Sequence, residues 1–226
     1  LDNKVETILR NKNIKYKLFK GNVLNEYNSI TKNDGTPFKV FSPFWRHAEQ
    51  IYLDKVPPKE NKIKKLNKKL SIFNSKNKPK DLLPKYDWYK KFESYWNVSE
   101  KDSHNELQNF LKERILKYSN DRDFPSLNGS SKLSPYIRNG QLNVNKIWKS
   151  CSSIKNKNIG VRKYLNELGW REFSHSLINY FPEMLKGNLR KEFDKFPWEK
   201  NNKFLNAWKK GMTGYPIVDA GMIQMY

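Results

Sequence analysis

Apolar residues recur at every third or fourth position through the second half of the chain, which is the spacing of amphipathic helices. Asp123-Phe124-Pro125 interrupts this pattern, and Ser134-Pro135 predicts the start of a helix that Gly140 closes. The spacing predicts further helices over 106–118, 145–150, 161–180 and 204–208, and a last one from Ile217.

Residues 1–56 have a more mixed pattern, typical of an α/β segment. Ser42 would cap a helix that has Pro43 at its first position. In chain order the pattern predicts the end of a helix at 5–9, a short strand at 15–19, a loop at Asn33-Asp34-Gly35, a strand-like run at 38–41 and a helix at 44–53.

The segment 57–80 differs from both halves in composition. It holds nine lysines and one acidic residue, and prolines stand at its beginning and near its end. We interpret it as an exposed linker, with a short helix near 63–70. Its lysines are either a solvated charge run or a contact for phosphates.

The charge balance changes what this chain is expected to bind. Its 226 residues include 44 Lys and Arg against 23 Asp and Glu, a net charge of +21. Such an excess favours polyanionic partners, nucleic acid first, unless it reflects a Lys-rich composition spread evenly in solvent. Aromatic residues make up 14% of the chain, too many for a disordered protein.

Several classes are excluded by composition. No run approaches the roughly 20 apolar residues of a membrane helix, so we expect no membrane partner. Cys151 is the single cysteine, which excludes a disulfide scaffold and a cysteine-rich zinc site, and we expect no metal. No signal peptide is visible, which predicts a cytoplasmic protein. The chain begins at Leu1 and stops at Tyr226 without a polar tail, so we expect a piece of a longer protein.

The helix predicted over 161–180 carries two stripes at helical spacing. The first is mainly apolar and should face the core: Leu165, Leu168, Glu172 and Leu177. The second mixes aromatic and charged side chains: Tyr164, Glu167, Trp170, Arg171 and His175. This second stripe is either the wall of a cavity, where aromatic faces stack on planar rings and Glu167 accepts ring N–H groups, or a surface Glu167–Arg171 pair with Trp170 as an interface anchor.

Two loops carry further candidate chemistry. In Gly129-Ser130-Ser131, ahead of Ser134, small residues let backbone N–H groups approach a phosphate or diphosphate, although an ordinary helix-capping loop has the same composition. The segment GMTGYPIVDAGM (211–222) says little as chemistry, but it is specific as a signature.

These motifs, in this order, resemble the DNA photolyase/cryptochrome family, and most closely its bacterial cyclobutane pyrimidine dimer photolyases. The matching segments are LNELGWREF (165–173), FPW (196–198), GMTGYPIVDAGM (211–222), DRDFPSLNGSSKLSPYIRNGQL (121–142) and FKVFSPFWR (38–46). The resemblance spans nearly the whole chain and is poorest over 57–95.

The resemblance implies a mainly α fold in three parts. Residues 1–56 would be the C-terminal part of an α/β, Rossmann-like antenna domain, and residues 57–100 an interdomain linker. Residues 101–226 would be the first half of an all-helical FAD-binding domain. The family's next segment, with an Asn-Arg pair and two inner relay tryptophans, is absent, so the resemblance implies an internal fragment that is inactive alone.

The resemblance also assigns roles to individual residues. Glu167 would hydrogen-bond the damaged bases, Trp170 would stack on the flipped dimer beside Tyr164, and Trp198 would be the outermost member of an electron relay. The residues implied to hold FAD are Tyr118, Ser130, Ser131, Lys132, Leu133, Ser134, Glu167 and Arg171. Two positions depart from the family pattern: Tyr164 stands where some members have a second tryptophan, and Ile223 replaces a usual arginine.

The function implied is light-dependent repair of UV-damaged DNA, in which FAD transfers an electron that splits cyclobutane pyrimidine dimers. A second, antenna chromophore, either methenyltetrahydrofolate or a deazaflavin, is implied but not identified, and a monomer is expected. The alternative is a cryptochrome-type blue-light receptor without repair activity; plant-type receptors tend to lose the tryptophan at Trp170. A six-four photoproduct photolyase would need a histidine pair at the pocket, which this chain does not display.

Overall fold

The described part of the chain is made of helices and loops, without a strand. A computed structural model describes residues 2–16, 21, 23–26, 29–53, 84–155 and 158–225, and two compact units, Leu1–Tyr180 and Phe181–Tyr226, divide the chain. The α-helices are α1 Asp2–Asn11, α2 Phe41–Leu53, α3 Glu100–Asn109, α4 Tyr118–Asp121, α5 Ser134–Arg138, α6 Val144–Ser152, α7 Ile159–Tyr180, α8 Asn202–Lys209 and α9 Pro216–Met225. Short 3-10 helices lie at Asp87–Ser94, Pro182–Leu185 and Lys191–Lys195, and a π-helical turn at Phe110–Arg114.

Helix α7 is the spine of the first unit, and α2, α4 and α6 pack against it. The first stripe faces the core as predicted: Leu165, Leu168 and Glu172 are buried, and Leu177 packs at the margin of the core. Burial of this stripe, at the expected 3–4 spacing, is what positions the remaining faces of α7.

The predictions for the N-terminal segment are partly wrong. Helix α1 is confirmed, but residues 38–40 are not a strand, and α2 begins at Phe41, which places Ser42 and Pro43 inside its first turn. A four-residue apolar run is ambiguous between strand and helix, and proline is accepted in a first turn because its missing N–H has no helical acceptor there. The strand predicted at 15–19 lies partly outside the described residues, and the linker helix predicted at 63–70 lies entirely outside them.

The helix predicted over 106–118 is interrupted rather than continuous. Helix α3 begins after Ser99, whose hydroxyl accepts the Asp102 N–H at 3.0 Å. A π turn follows it, and buried Phe110 and Ile115 lie five positions apart across this turn. The wider turn keeps both side chains, and then Tyr118, on the buried side.

The packing of α2 on α7 depends on a glycine. The Trp45 ring lies over Gly169, so close that a Cβ built at Gly169 would stand 2.5 Å from Trp45 Cε3. The Trp45 indole N–H also donates to Asn166 Oδ1 at 2.8 Å. One glycine and one hydrogen bond therefore fix the distance and rotation between the two helices.

In the second unit, the motif of residues 211–222 has a structural role. The Asp219 carboxylate accepts hydrogen bonds from the Thr213 N–H at 2.8 Å, the Thr213 hydroxyl at 2.6 Å and the Gly214 N–H at 3.0 Å. These bonds close the turn between α8 and α9 and hold the pKa of Asp219 below its usual value.

Glu172 is a buried carboxylate that ties the segment 23–26 to α7. Its Oε2 accepts the Leu24 N–H at 2.8 Å, and its Oε1 pairs with Arg171 Nη1 at 3.0 Å. Burial raises the pKa of Glu172 to about 7. The Leu24 N–H and Arg171 lower it, but their effect is smaller than that of burial.

We expect Gly169→Ala to destabilise the chain by about 1–3 kcal/mol, because the added methyl overlaps the Trp45 ring and forces α2 away from α7. The measurement is the free energy of unfolding from a denaturant titration. Gly221→Ala is the matched control, since a Cβ there meets open space within a helix and should be neutral or stabilising. Equal stability of the two variants would contradict the close packing.

We expect stability to fall as the pH rises from 4.5, the usual pKa of a glutamate, through about 7, the pKa of Glu172 in the folded chain. The unfolded chain loses this proton first, so the folded state must release it at a cost of about 3 kcal/mol. Glu172→Gln keeps an acceptor for the Leu24 N–H but has no proton to lose. Its pH profile of unfolding free energy should be flatter, and parallel profiles for the two proteins would assign the dependence to another group.

Candidate functional site

The second stripe of α7 passes from the core to the surface. Tyr164 is buried, Glu167, Arg171 and His175 are partly buried, and the Trp170 side chain is 46% exposed. This gradient is what the margin of a binding site requires, because polar groups there are held by the core on one side and reachable from the other.

Three aromatic rings form the buried end of the stripe. The Tyr164 ring lies 4.6 Å from Phe110 and 5.1 Å from Tyr118, the second contact edge to face. The Tyr164 hydroxyl shares a hydrogen bond with Ser131, which connects the 129–134 loop to α7. Burial raises the pKa of Tyr164, so the hydroxyl is neutral and able to donate.

Arg122 connects Tyr118 to Glu167. Its Nη1 lies 2.5 Å from Glu167 Oε1 and donates to the Tyr118 hydroxyl at 3.2 Å, while the guanidinium stands 5.3 Å from the centre of the Tyr118 ring. Lys163 Nζ is 3.8 Å from the same Glu167 oxygen. The surface Glu167–Arg171 pair considered for this stripe is thus replaced by Glu167 with Arg122 and Arg171 with Glu172.

The indole of Trp170 is stacked on Phe41. The ring centres are 3.7 Å apart and the planes differ by 9°, and Phe173 touches the indole edge to face at 6.1 Å. Phe41 covers one face of the indole, and with 46% of the residue exposed a further planar group can reach Trp170.

Two guanidinium groups, Arg171 of α7 and Arg138 of α5, act on His175. The pKa of His175 is lowered by burial first, and then by the positive charges of Arg171 and Arg138, so the imidazole is neutral. Two guanidinium groups near one neutral imidazole favour an anionic ligand beside them.

The 129–134 loop is tightly packed at its start and open afterwards. A Cβ at Gly129 would stand 2.4 Å from the Asp121 backbone, so the loop lies directly against α4. Ser130, Lys132 and Ser134 are exposed, whereas the Leu133 side chain is fully buried, which leaves only its backbone for a ligand. The N-cap residue of α5 is Leu133, which forms no side-chain cap.

Trp198 belongs to the second unit. It is 68% exposed and lies 4.7 Å from Phe196, between the 3-10 helix Lys191–Lys195 and α8. Ile223, the position of the second departure, is 63% exposed on α9.

Sequence reasoning misses three members of the site, Arg122, Arg138 and Phe41. Arg122 stands one helical turn after Tyr118, a spacing that brings side chains together and could have indicated it. Phe41 was assigned to a strand-like run, and no local signal brings it to Trp170.

Within the described ranges, no three His, Cys, Asp or Glu side chains are grouped as a metal site would need. No helix there combines the length and the apolar character needed to cross a membrane.

Family models match both ends of the chain. Residues 1–64 match the model described as DNA photolyase, and residues 164–226 match the FAD binding domain of DNA photolyase. The second match begins at Tyr164 and so contains the whole mixed stripe of α7.

Curated relatives extend the similarity across the chain. It is 32% identical to the deoxyribodipyrimidine photo-lyase of Agrobacterium fabrum, over 100% of this chain and 47% of the relative. It is 30% identical to the enzyme of the same name from Alkalihalophilus pseudofirmus, over 99% of this chain and 46% of the relative. The chain thus spans about half the length of the curated relatives it matches.

Solved structures agree. A bacterial class III photolyase from Agrobacterium tumefaciens superposes with a TM-score of 0.81 at 30% identity, covering 99% of this chain and 47% of that one. A Synechocystis cryptochrome shares the fold with a TM-score of 0.72 at 22% identity, over 95% of this chain and 46% of that one. With two family models, relatives that match along this whole chain and a common fold in agreement, the chain belongs to the DNA photolyase/cryptochrome family.

Proposed function

We propose that the protein carrying this chain is a deoxyribodipyrimidine photo-lyase, which uses light and FAD to split cyclobutane pyrimidine dimers in UV-damaged DNA. The observation that carries the proposal is the half-exposed, stacked Trp170 one helical turn from the partly buried carboxylate of Glu167. A planar apolar surface beside a hydrogen-bond acceptor is what a flipped pyrimidine pair requires.

The residues at the site fit a flavin dinucleotide. Arg171 and Arg138, on either side of the neutral His175, supply positive charge suited to a diphosphate, and the exposed hydroxyls of Ser130 and Ser134 add donors on the loop beside α4. Ser131, Lys132 and the Leu133 backbone complete that loop, and Tyr118 offers an aromatic wall close to Glu167. FAD, when bound, supplies the electron that opens the cyclobutane ring.

The chain's own residues bind and orient the substrate. Trp170 would stack on one base of the dimer, at the margin where Tyr164 closes the interior, and exclude water from that face. Glu167 would accept hydrogen bonds from base N–H groups, and Arg122 holds its carboxylate in place through the 2.5 Å contact. An exposed Trp198 suits the outer end of an electron relay, because an oxidised indole at the surface regains its electron from a reductant in solution.

The proposal extends to the charge of the chain, its domains and its antenna chromophore. The net charge of +21 supplies the attraction to the DNA backbone. We assign 1–56 to an α/β antenna domain, 57–100 to a linker and 101–226 to the helical FAD domain, in a cytoplasmic monomer. Methenyltetrahydrofolate and a deazaflavin remain the two candidates for an antenna chromophore.

We expect Trp170→Ala to weaken binding of an oligonucleotide that contains one thymine dimer, because the indole face contributes about 1–3 kcal/mol per stacked base, or about five- to 150-fold in affinity. Fluorescence anisotropy with lesion-bearing and intact oligonucleotides measures the change. Trp88→Ala removes another exposed indole of the first unit and is the matched control. Equal lesion affinity of wild type and Trp170→Ala would remove Trp170 from the substrate site.

We expect Glu167→Ala in the complete gene product to lower the yield of split dimers per absorbed photon while flavin remains bound, because the carboxylate would contact the bases and the other residues proposed to hold FAD remain in place. Flavin absorbance and dimer splitting under blue light are measured on the same sample. Glu113→Ala, an exposed carboxylate of the π turn, is the control for lost charge.

Loss of flavin in Glu167→Ala would assign a structural role to the carboxylate. A wild-type gene product that retains flavin and responds to blue light but splits no dimers would contradict repair and favour the receptor function.

A further inference from the structure

The indole of Trp170 does not stand alone on the surface of α7. A lone tryptophan there would have several rotamers, and a ligand that stacks on it would have to select one of them at an entropic cost. In this chain the Phe41 ring lies parallel to the indole, 3.7 Å away, and Phe173 closes one edge at 6.1 Å. These contacts restrict the plane of the indole before any ligand arrives.

Phe41 is itself held by its surroundings. Its ring is nearly parallel to Trp45 at 6.2 Å and meets Phe173 at 5.9 Å, and it is the first residue of α2. Trp45 in turn lies on Gly169 and donates to Asn166, both on α7. The position of the Phe41 ring therefore follows from the fixed spacing of the two helices.

Phe41 is not one of the fully buried residues of the core. It is partly buried, and it packs at the margin of the buried cluster rather than inside it. Its closest ring neighbour is the half-exposed Trp170, at a shorter distance than its contacts with Trp45 and Phe173. A contact whose main partner is a surface indole contributes to the orientation of that indole.

We propose that Phe41 is a positioning residue that fixes the plane of Trp170 for stacking of a pyrimidine base on its open face. The inference rests on the proposed function, since it gives Trp170 a base as its ligand. A base on the open face would complete a three-layer stack of phenyl, indole and pyrimidine. Phe41, at the start of α2, would in this way strengthen substrate binding without contacting the substrate.

The test is a double-mutant cycle on binding to a thymine-dimer oligonucleotide, with the variants Phe41→Leu, Trp170→Ala and the pair together. Leucine keeps an apolar side chain but removes the parallel ring. We expect Phe41→Leu to weaken lesion binding about three- to tenfold, with no effect in the Trp170→Ala background. Phe41→Tyr retains the ring and should bind like wild type.

Two controls separate positioning from stability. Phe38→Leu removes a ring just before α2 that contacts Phe44 and His47, and it should leave lesion binding unchanged. In the complete gene product, Phe38→Leu should likewise leave flavin content and dimer splitting per photon unchanged, whereas Phe41→Leu should need a higher substrate concentration for half-maximal splitting.

The outcomes separate the inference from the proposed function. If Trp170→Ala binds the lesion like wild type, the proposed base-stacking role fails and the inference fails with it. If Trp170→Ala binds the lesion more weakly than wild type but Phe41→Leu binds it like wild type, the inference alone is overturned. An equal loss from Phe41→Leu in both backgrounds would make Phe41 a structural residue, as would failure of both Phe41→Leu and Phe41→Tyr to fold.

Discussion

The close approach of α2 to α7 is the constraint on which the rest of the first unit depends. Trp45 reaches the backbone of α7 only because residue 169 is glycine, and its N–H fixes the rotation through Asn166. Packing as tight as this leaves α2 little freedom to move relative to α7, because protein interiors are as dense as organic crystals. Helix α2, which is far from α7 in sequence, therefore places Phe41 against the exposed Trp170 of α7.

The candidate site is a continuation of that core rather than an addition to it. Tyr164 is buried with the core and contacts the 129–134 loop, and Arg122 extends the network from Tyr118 to Glu167. Each polar member is held by a neighbour that is itself packed, which is how reactive groups are kept in one geometry. Tyr164 is buried because it packs on Phe110 and Tyr118, whereas Trp170 stays half-exposed because Phe41 covers one face of its indole.

Much of this arrangement was predictable from local patterns, and the remainder was not. The 3–4 spacing predicted α7 and its core stripe, because burial of one helix face leaves a periodic signal. The family motifs supplied the expected roles of Glu167, Trp170 and Arg171. The pairing of Glu167 with Arg122, and of Phe41 with Trp170, joins residues distant in sequence, and no period within one element records such contacts. The strand predicted at 38–41 is wrong because the apolar residues of this short run fit either secondary structure.

Asp219 and Glu172 are both held by hydrogen bonds, but folding shifts their pKa values in opposite directions. Asp219 is favoured in its ionised form by the folded chain, so the turn between α8 and α9 loses support in acid. Glu172 is favoured in its neutral form, so the attachment of residues 23–26 to α7 loses support as the pH rises from 4.5 through about 7. The two carboxylates therefore have opposite acid–base preferences, and only under mildly acidic conditions, near the usual pKa of a carboxyl group, does neither of them oppose the fold.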